Sequence, residues 1–429
     1  MCQKEIGKEI AALIFLFFVL CASQNAYSSG FAIYTQGASA LGQADSVVAH
    51  TDSPSSVFFN PALINKLEGT QVESGTTLIF PTREFKSDIP GGNDETKDRM
   101  FYPSTVYVTH KFNEKISAGL GIFTPFGLAT TWDDDWEGRY IGTKSEMKTF
   151  NINPVVSYQL LPNVALAAGV DVLFFDTTLE KKINLSGFGL PDADQKFDGH
   201  GNGVGYNFGI VYDVTKDISL GAAYRSKIKV NIDGDSDFDL PSGTPSPLRA
   251  LFPDTDGKAD MTLPQQACVG VCYKGLDRLT LETNLRFEGW SSFDKSEVDF
   301  DQPVAGSTRS ITEKDWKDTY SASFGARYQL KDWIALLGGY LYGGNPVPDK
   351  TFDPIVPDAN THLFTFGTSI KIKNFKIDLA YAYQLLEGRS KSNSVDDNPS
   401  DGLLNASTSA NGKYETDLHI VGISVSYNF

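Results

Sequence analysis

Beyond its first twenty residues the chain has no apolar run of the roughly 18 residues that a membrane helix requires. If it enters a bilayer, it enters as strands. Cysteine is scarce, with four in 429 residues, and Cys2 and Cys21 fall in what reads as a leader. Cys268 and Cys272, four apart on a strand, stand roughly 13 Å apart, too far for a disulfide. They read as free, buried and inert. A CxxxC with no neighbouring His or second Cys pair is not a zinc pattern. The five histidines are scattered at positions 50, 110, 200, 362 and 419, and no GxSxG, HExxH or Walker pattern occurs. No catalytic constellation, metal site or cofactor is expected. Positive charge is also in deficit: 37 Lys and Arg against 53 Asp and Glu give a net −16, which opposes nucleic-acid binding.

What is present points outward through the cell envelope. Lys4 and Lys8, the apolar run Ile10 to Leu20, and Ala26 and Ser28 make a secretory leader over residues 1–28. Leu20 is too large for the lipidation pattern that Cys21 would otherwise suggest. With 41% hydrophobic and 21% charged residues, the remainder is neither disordered nor a helical membrane protein. From about residue 70 apolar and polar residues alternate with period two. In 375–385, for example, Phe375, Ile377, Leu379, Tyr381, Tyr383 and Leu385 alternate with Lys376, Asp378, Ala380, Ala382 and Gln384. Such runs reach about 10 residues, the length of a tilted transmembrane strand rather than the 5–6 of a soluble one.

The connections carry more information than the runs. About 14 strand candidates are joined alternately by tight turns (Asn113-Glu114, Pro162-Asn163, Thr215-Lys216, Gly275-Leu276, Lys331-Asp332, Asn374) and by long segments (83–98, 126–144, 184–201, 234–257, 295–311, 345–358, 388–412). That asymmetry predicts an all-β fold: a transmembrane up-and-down antiparallel β-barrel over 70–429, with short periplasmic turns and long outer loops. The last strand ends on Tyr427 and Phe429, an aromatic terminus of the kind that barrel-assembly machinery recognises. About 14 strands enclose a lumen too wide for side chains to fill. Residues 29–69 do not alternate, and they supply a hatch, or plug, for it.

Residues along the chain resemble the FadL family of outer-membrane transporters of long-chain fatty acids and aromatic hydrocarbons. The matches run colinearly: Ser29-Gly30-Phe31; Ala40-Leu41-Gly42-Gln43-Ala44; Phe59-Asn60-Pro61-Ala62-Leu63; Pro125-Phe126-Gly127-Leu128-Ala129-Thr130; Tyr224-Arg225-Ser226-Lys227; Trp290-Ser291; Trp316-Lys317-Asp318-Thr319-Tyr320; Pro346-Val347-Pro348 with Pro357-Asp358; and Ser426-Tyr427-Asn428-Phe429. The resemblance implies a 14-stranded barrel plugged by a hatch, with Asn60, Pro61 and Ala62 as its structural motif. It also implies a hydrophobic ligand that binds from the outer side and leaves sideways into the membrane through a kinked third strand. Two positions depart from the family pattern and weaken the case for an anionic headgroup: Ala359-Asn360-Thr361-His362 follows Pro357-Asp358, where the family often carries a basic residue nearby, and Ser321 stands where relatives often carry Arg.

The residues give the candidates their chemistry. Gly119, Gly121, Pro125 and Phe126 mark the third strand as a lateral gate, because glycine packs nothing and proline removes a ladder donor. Gly30 and Phe31, with Arg225 and Lys227, are the candidate ligand contacts. Arg225, Lys227 and Lys229 are expected to face the lumen, holding a carboxylate or pairing with acids such as Glu282 or Glu288. Asp133, Asp134 and Asp135, and the run from Asp233 to Asp237, read as solvated loop charge; the second lacks the glycine and glutamate of an EF-hand loop. The expected partners are a hydrophobic ligand, outer-membrane lipid and lipopolysaccharide, and the assembly machinery, around a monomeric barrel that is not an enzyme. The alternatives are a general porin-like channel and an outer-membrane barrel hydrolase.

Overall fold

A computed structural model of the protein describes residues 30–395 and 410–429; the expected leader and part of the last long connection lie outside these residues. Fourteen staves form one antiparallel sheet that closes on itself. They are β1 (Thr70–Ser87), β2 (Ser104–Lys111), β3 (Ile116–Phe123, resumed at Gly127–Thr131), β4 (Lys144–Leu161), β5 (Val164–Ile183), β6 (Ala193–Asp213) and β7 (Ile218–Arg225, resumed at Ile228–Asp239). Next come β8 (Thr255–Leu263 and Gln266–Leu276), β9 (Leu279–Glu288 and Lys295–Val304), β10 (Ser307–Glu313 and Thr319–Lys331), β11 (Ile334–Gly343), β12 (Thr361–Ile372), β13 (Phe375–Lys391) and β14 (Gly412–Asn428). Each pairs with its sequence neighbours, and β14 pairs with β1 from Gln71↔Asn428 to Ser87↔Gly412. Closure removes the free edges that the first and last strands would otherwise present to lipid, where each unpaired backbone group would cost several kcal/mol. No helix among the described residues is long and apolar enough to cross a membrane; the strands do the crossing.

Period two sorts the side chains. On β4, Asn151, Asn153, Val155 and Ser157 are buried inward, while Phe150, Val156 and Tyr158 are exposed on the outer wall. The outer face carries Phe174, Tyr206, Phe208, Tyr328, Phe364 and Phe366, a lipid-facing apolar surface.

Three expectations need correcting. The turn expected at Gly275-Leu276 falls two residues later, where Arg278 takes φ 57. The expected loop 295–311 is instead a hydrogen-bonded hairpin extending β9 and β10 beyond the wall. The third concerns the β7 cations. Arg225 faces the lumen, but Ser226 interrupts the strand: its backbone N–H donates to Tyr206 O at 2.8 Å and its Oγ accepts from Tyr206 N at 2.9 Å. The added residue inverts the phase. Ile228, Val230 and Ile232 then face inward, and Lys227 and Lys229 lie exposed outside, Lys229 Nζ 2.7 Å from Asp260 Oδ2.

Residues 30–69 lie inside the barrel as short helical pieces, Ala38–Leu41, Ser56–Phe59 and Pro61–Lys66, almost wholly buried. Wall glycines admit their backbone. A Cβ on Gly221 would lie 2.1 Å from Val48 O, and one on Gly325 2.5 Å from Gln43 O. Asn60 ties the segment together. Its Oδ1 accepts from Ala62 N at 3.1 Å, capping the helix that Pro61 opens, and its Nδ2 donates to Val48 O and to Ile210 O on β6 at 2.7 and 3.0 Å. The segment also reaches both sides of the β1–β14 seam. Ala38 N donates to Ser424 Oγ at 3.0 Å, and Glu73 accepts from Ser53 and, at 3.1 Å, from Ser426.

Candidate functional site

Among the described residues, the wall is interrupted between β2 and β3. Up to Val106↔Ile122, β2 and β3 are fully paired, including Gly121 and Gly119. The glycines therefore do not weaken the ladder. They make room for the hatch instead: a Cβ at Gly119 would sit 2.8 Å from Val57 Cγ2, and one at Gly121 3.0 Å from Val57 Cγ1. Gly119 and Gly121, expected to weaken the third strand, thus lie in its paired part. The break begins at Thr124-Pro125-Phe126, where Pro125 has no N–H to offer. Beyond it β3 keeps β4 as a neighbour but exchanges β2 for the hatch. Ile33 N donates to Pro125 O at 2.9 Å, Gly127 N donates to Phe31 O at 2.9 Å, and Ala32 bridges Phe126. Thr149 Oγ1 completes the bend, donating to Phe126 O at 2.6 Å and accepting from Phe126 N at 3.1 Å. A bond from Lys97 N to Thr131 O at 2.8 Å closes the top of the gap. Between these limits Met100 and Tyr102 are exposed and face the unpaired edge.

Behind the gap lies a cavity of about 570 Å³. The hatch from Gly30 to Thr35 forms one side. Ile79, Pro81 and Arg83 of β1, Gly127 to Ala129 of β3, Met147 of β4 and Val356 to Asp358 of the β11–β12 connection form the rest. Most of the lining is aliphatic or aromatic, with Leu341, Leu363, Leu386, Leu418 and Ile420 toward the seam. Volume and lining suit a drug-sized apolar molecule.

Gly30 and Phe31 sit at the cavity's edge and hold the hatch's leading end. Gly30 has φ 58, and a Cβ there would strike Trp290 at 2.8 Å and Trp316 at 2.9 Å. Its N–H donates to Asp358 Oδ2 at 3.1 Å. Phe31 is caged edge-on by Trp290 (centroids 4.5 Å) and Phe293 (6.0 Å), beside Trp316 and Phe126. Such aromatic contacts add about 0.5–1.5 kcal/mol each beyond burial.

The charged candidates separate. Arg225 is paired with Asp171, which also accepts from Asn151 at 2.7 Å and Asn207 at 2.9 Å; the guanidinium lies over Phe58 and Phe123. Its partner is thus neither Glu282 nor Glu288. It borders a small cleft of about 40 Å³, apart from the main cavity. Lys227 borders neither cavity. Three other cations, Arg83, Arg99 and Lys148, line the main cavity, and of these Arg83, which the sequence reading passed over, lies at the inner rim of the gap. Its Nη1 donates to Ala129 O at 2.9 Å across the gap's inner rim, and its Nε meets no acceptor among the described residues. Parity on β1 was the available signal, since Glu73, Thr77, Phe85 and Arg83 share the inward phase. Arg99 stands near Glu146, which Lys148 also meets at 2.5 Å.

One hatch acid lines both spaces. Asp45 has φ 57 and is buried, and neither carboxylate oxygen has a hydrogen-bond partner among the described residues. Burial pushes its carboxyl up to about 7, against the pull of Arg286. The folded protein therefore holds this proton more tightly than the unfolded chain, in which Asp titrates near 3.8. The resulting cost is absent below about pH 4, grows as pH rises, and is complete above about 7. Asp45→Asn keeps a residue that tolerates the left-handed backbone and removes the charge. Its heat-unfolding midpoint should exceed the wild type's at pH 8, reflecting a stabilisation on the order of a few kcal/mol, and match it at pH 4. Equal midpoints at both values would count against the buried charge.

A sequence profile described as "Outer membrane protein transport protein (OMPP1/FadL/TodX)" matches residues 19–429. The long-chain fatty acid transport protein of Escherichia coli K12 is 23% identical over 421 residues, covering 89% of this chain and 93% of its own. Outer membrane protein P1 of Haemophilus influenzae is 22% identical over 464 residues, covering 96% and 97%. Among solved structures, a Pseudomonas aeruginosa FadL homologue superposes with TM-score 0.81 at 19% identity, covering 94% of this chain and all of its own. The Pseudomonas putida toluene transporter TodX gives 0.73 at 17%, covering 94% and 100%.

Proposed function

The chain belongs to the OMPP1/FadL/TodX family of outer-membrane transport proteins, and on that premise we propose that it takes up hydrophobic small molecules by facilitated diffusion, releasing them sideways through the interruption of β3. The observation that carries this reading is the junction of an apolar cavity with the one stretch where β3 has left β2 for the hatch. An apolar solute gains nothing by crossing a water-filled pore, because exposing its surface costs about 25 cal/mol per Å². A path from cavity to lipid through the wall avoids most of that cost. Relatives named for long-chain fatty acids and for toluene bracket the ligand class. Arg83 is a cation placed to meet a carboxylate if the ligand carries one. The lumen filled by residues 30–69 disfavours a general porin, and relatives named as transporters disfavour a hydrolase. Gly30 and Phe31 anchor the hatch beside the ligand. The strand ending in Tyr427 and Phe429 presents its aromatic terminus to the assembly machinery, and the outer wall meets lipid and lipopolysaccharide around a single barrel.

The test is extraction and mass spectrometry of molecules that co-purify in mild detergent, followed by uptake of labelled oleate and labelled toluene by cells whose own transporters are deleted. A hydrophobic co-purifying ligand, and uptake of at least one tracer above vector control, are expected. Passage of small hydrophilic solutes alone would overturn the reading.

A further inference from the structure

Away from the cavity, the hatch meets the wall through a cluster of three ligating side chains. Cys272 on β8 and Glu282 on β9 are directly opposed across the ladder, so both project into the lumen at one height. The hatch brings His50 to them. Its Nδ1 lies 2.5 Å from Glu282 Oε2, while Ala49 N donates to Oε1 at 2.9 Å. Cys272 and Glu282 are wholly buried and His50 is 4% exposed. One donor atom from each residue lies within 4.8 Å of the other two. His50 Nε2 is buried and has no hydrogen-bond partner among the described residues.

The donor set is selective. Thiolate, imidazole and carboxylate together are the ligands of a borderline-soft cation, whereas calcium and magnesium take oxygen alone. Two donors are fixed by strand register and the third arrives from the hatch, so a bound ion would tie plug to wall. We infer that His50, Cys272 and Glu282 form a site for a zinc-class divalent cation that staples the hatch to β8 and β9. Bonds of about 2.0–2.3 Å place tetrahedral donors roughly 3.3–3.8 Å apart, so His50 and Glu282 separate by about 1 Å as the ion enters. The proton between them and the thiol proton leave to water as the metal–ligand bonds form; a water completes the fourth position. Cys272 stands four residues before Leu276, where β8 ends at a tight turn, so the site lies toward the tight-turn end of the barrel.

Cobalt(II) tests the assignment because a thiolate ligand gives it a near-ultraviolet charge-transfer band. The full-length protein, purified in detergent and stripped with chelator, is titrated with Co²⁺ and then Zn²⁺. One equivalent of Co²⁺ should produce the band and Zn²⁺ should abolish it. Cys272→Ser should lose the band, whereas Cys268→Ser, the other free thiol on β8, should keep it. A heat-dependent shift on detergent gels establishes that each variant is folded. If Cys272→Ser fails to fold, His50→Gln decides, because the wall does not depend on a hatch side chain. It should weaken Co²⁺ binding by roughly tenfold or more, the scale of losing a contact at a metal site. No band at saturating Co²⁺, a band that survives Cys272→Ser, or unchanged affinity in His50→Gln would each overturn the site. Band-free binding would place the ion on the acidic loops only, with the same consequence.

Discussion

Deleting residues 30–66 should turn a nearly closed barrel into a steadily conducting pore. The wall owes its integrity to fourteen paired strands and the β1–β14 closure, none of which the deletion removes. The lumen owes its closure to the deleted segment, because fourteen strands enclose more space than their own inward side chains fill. Many of those side chains are small, and the glycines at 221, 325 and 339 leave the hatch backbone space that a Cβ would take. Without the hatch nothing replaces it but water. Single-channel recording in planar bilayers should show the rise, with a heat-dependent gel shift demonstrating that the barrel still folds. A folded deletion with wild-type conductance would mean that the segment is not what blocks the lumen.

Blocking the wall interruption should do the reverse, leaving the barrel intact and stopping uptake. Ala129 is the position to use. It lies on β3 beyond the kink, lines the cavity, and offers its carbonyl to Arg83 at the inner rim. Ala129→Trp places a large ring in the mouth of the gap while leaving the β2–β3 pairing untouched. Valine at Gly119 or Gly121 would be a poorer test, because it would strike Val57 of the hatch and confuse gate with plug. Uptake of a hydrophobic tracer by Ala129→Trp should fall to near background at equal surface abundance. Leu379→Trp, on the lipid-exposed face, should transport normally, since an aromatic there meets only lipid. Wild-type uptake by a folded Ala129→Trp protein would show that ligand leaves elsewhere.

How much of this was legible in the sequence depends on the range of the interactions. Strand number and the sorting of tight and long connections are local properties, since each follows from period two and the distance across a bilayer. Phase is local too, but fragile: the single extra residue at Ser226 turned Lys227 and Lys229 outward although the alternation around them looks regular. Gly119 and Gly121 look like weak points by composition, yet they are paired, and they serve a contact with Val57 about sixty residues upstream. Contacts of that span leave no periodic trace. Arg225 could be seen to need an acid, but not that Asp171 supplies it. Glu282 and Glu288 were unavailable, being held by His50 and Ala49 in one case and by Tyr34 and Gln266 in the other. His50, Cys272 and Glu282 are likewise brought together only by the fold, with 232 residues separating the first from the last.

The seam also dictates an order of events. β1 and β14 are the most distant pair of staves along the chain, so the entropy of bringing them together is the largest any ladder here must overcome. Non-local pairings of this kind form late. The hatch bonds to Ser424 on one side of that seam and to Glu73 on the other. It is tethered to the first stave through Leu67 to Gly69, so the hatch and the seam draw on the same two strands. The contacts that seat the plug and the pairing that shuts the wall therefore stand or fall together at Ser424 and Glu73.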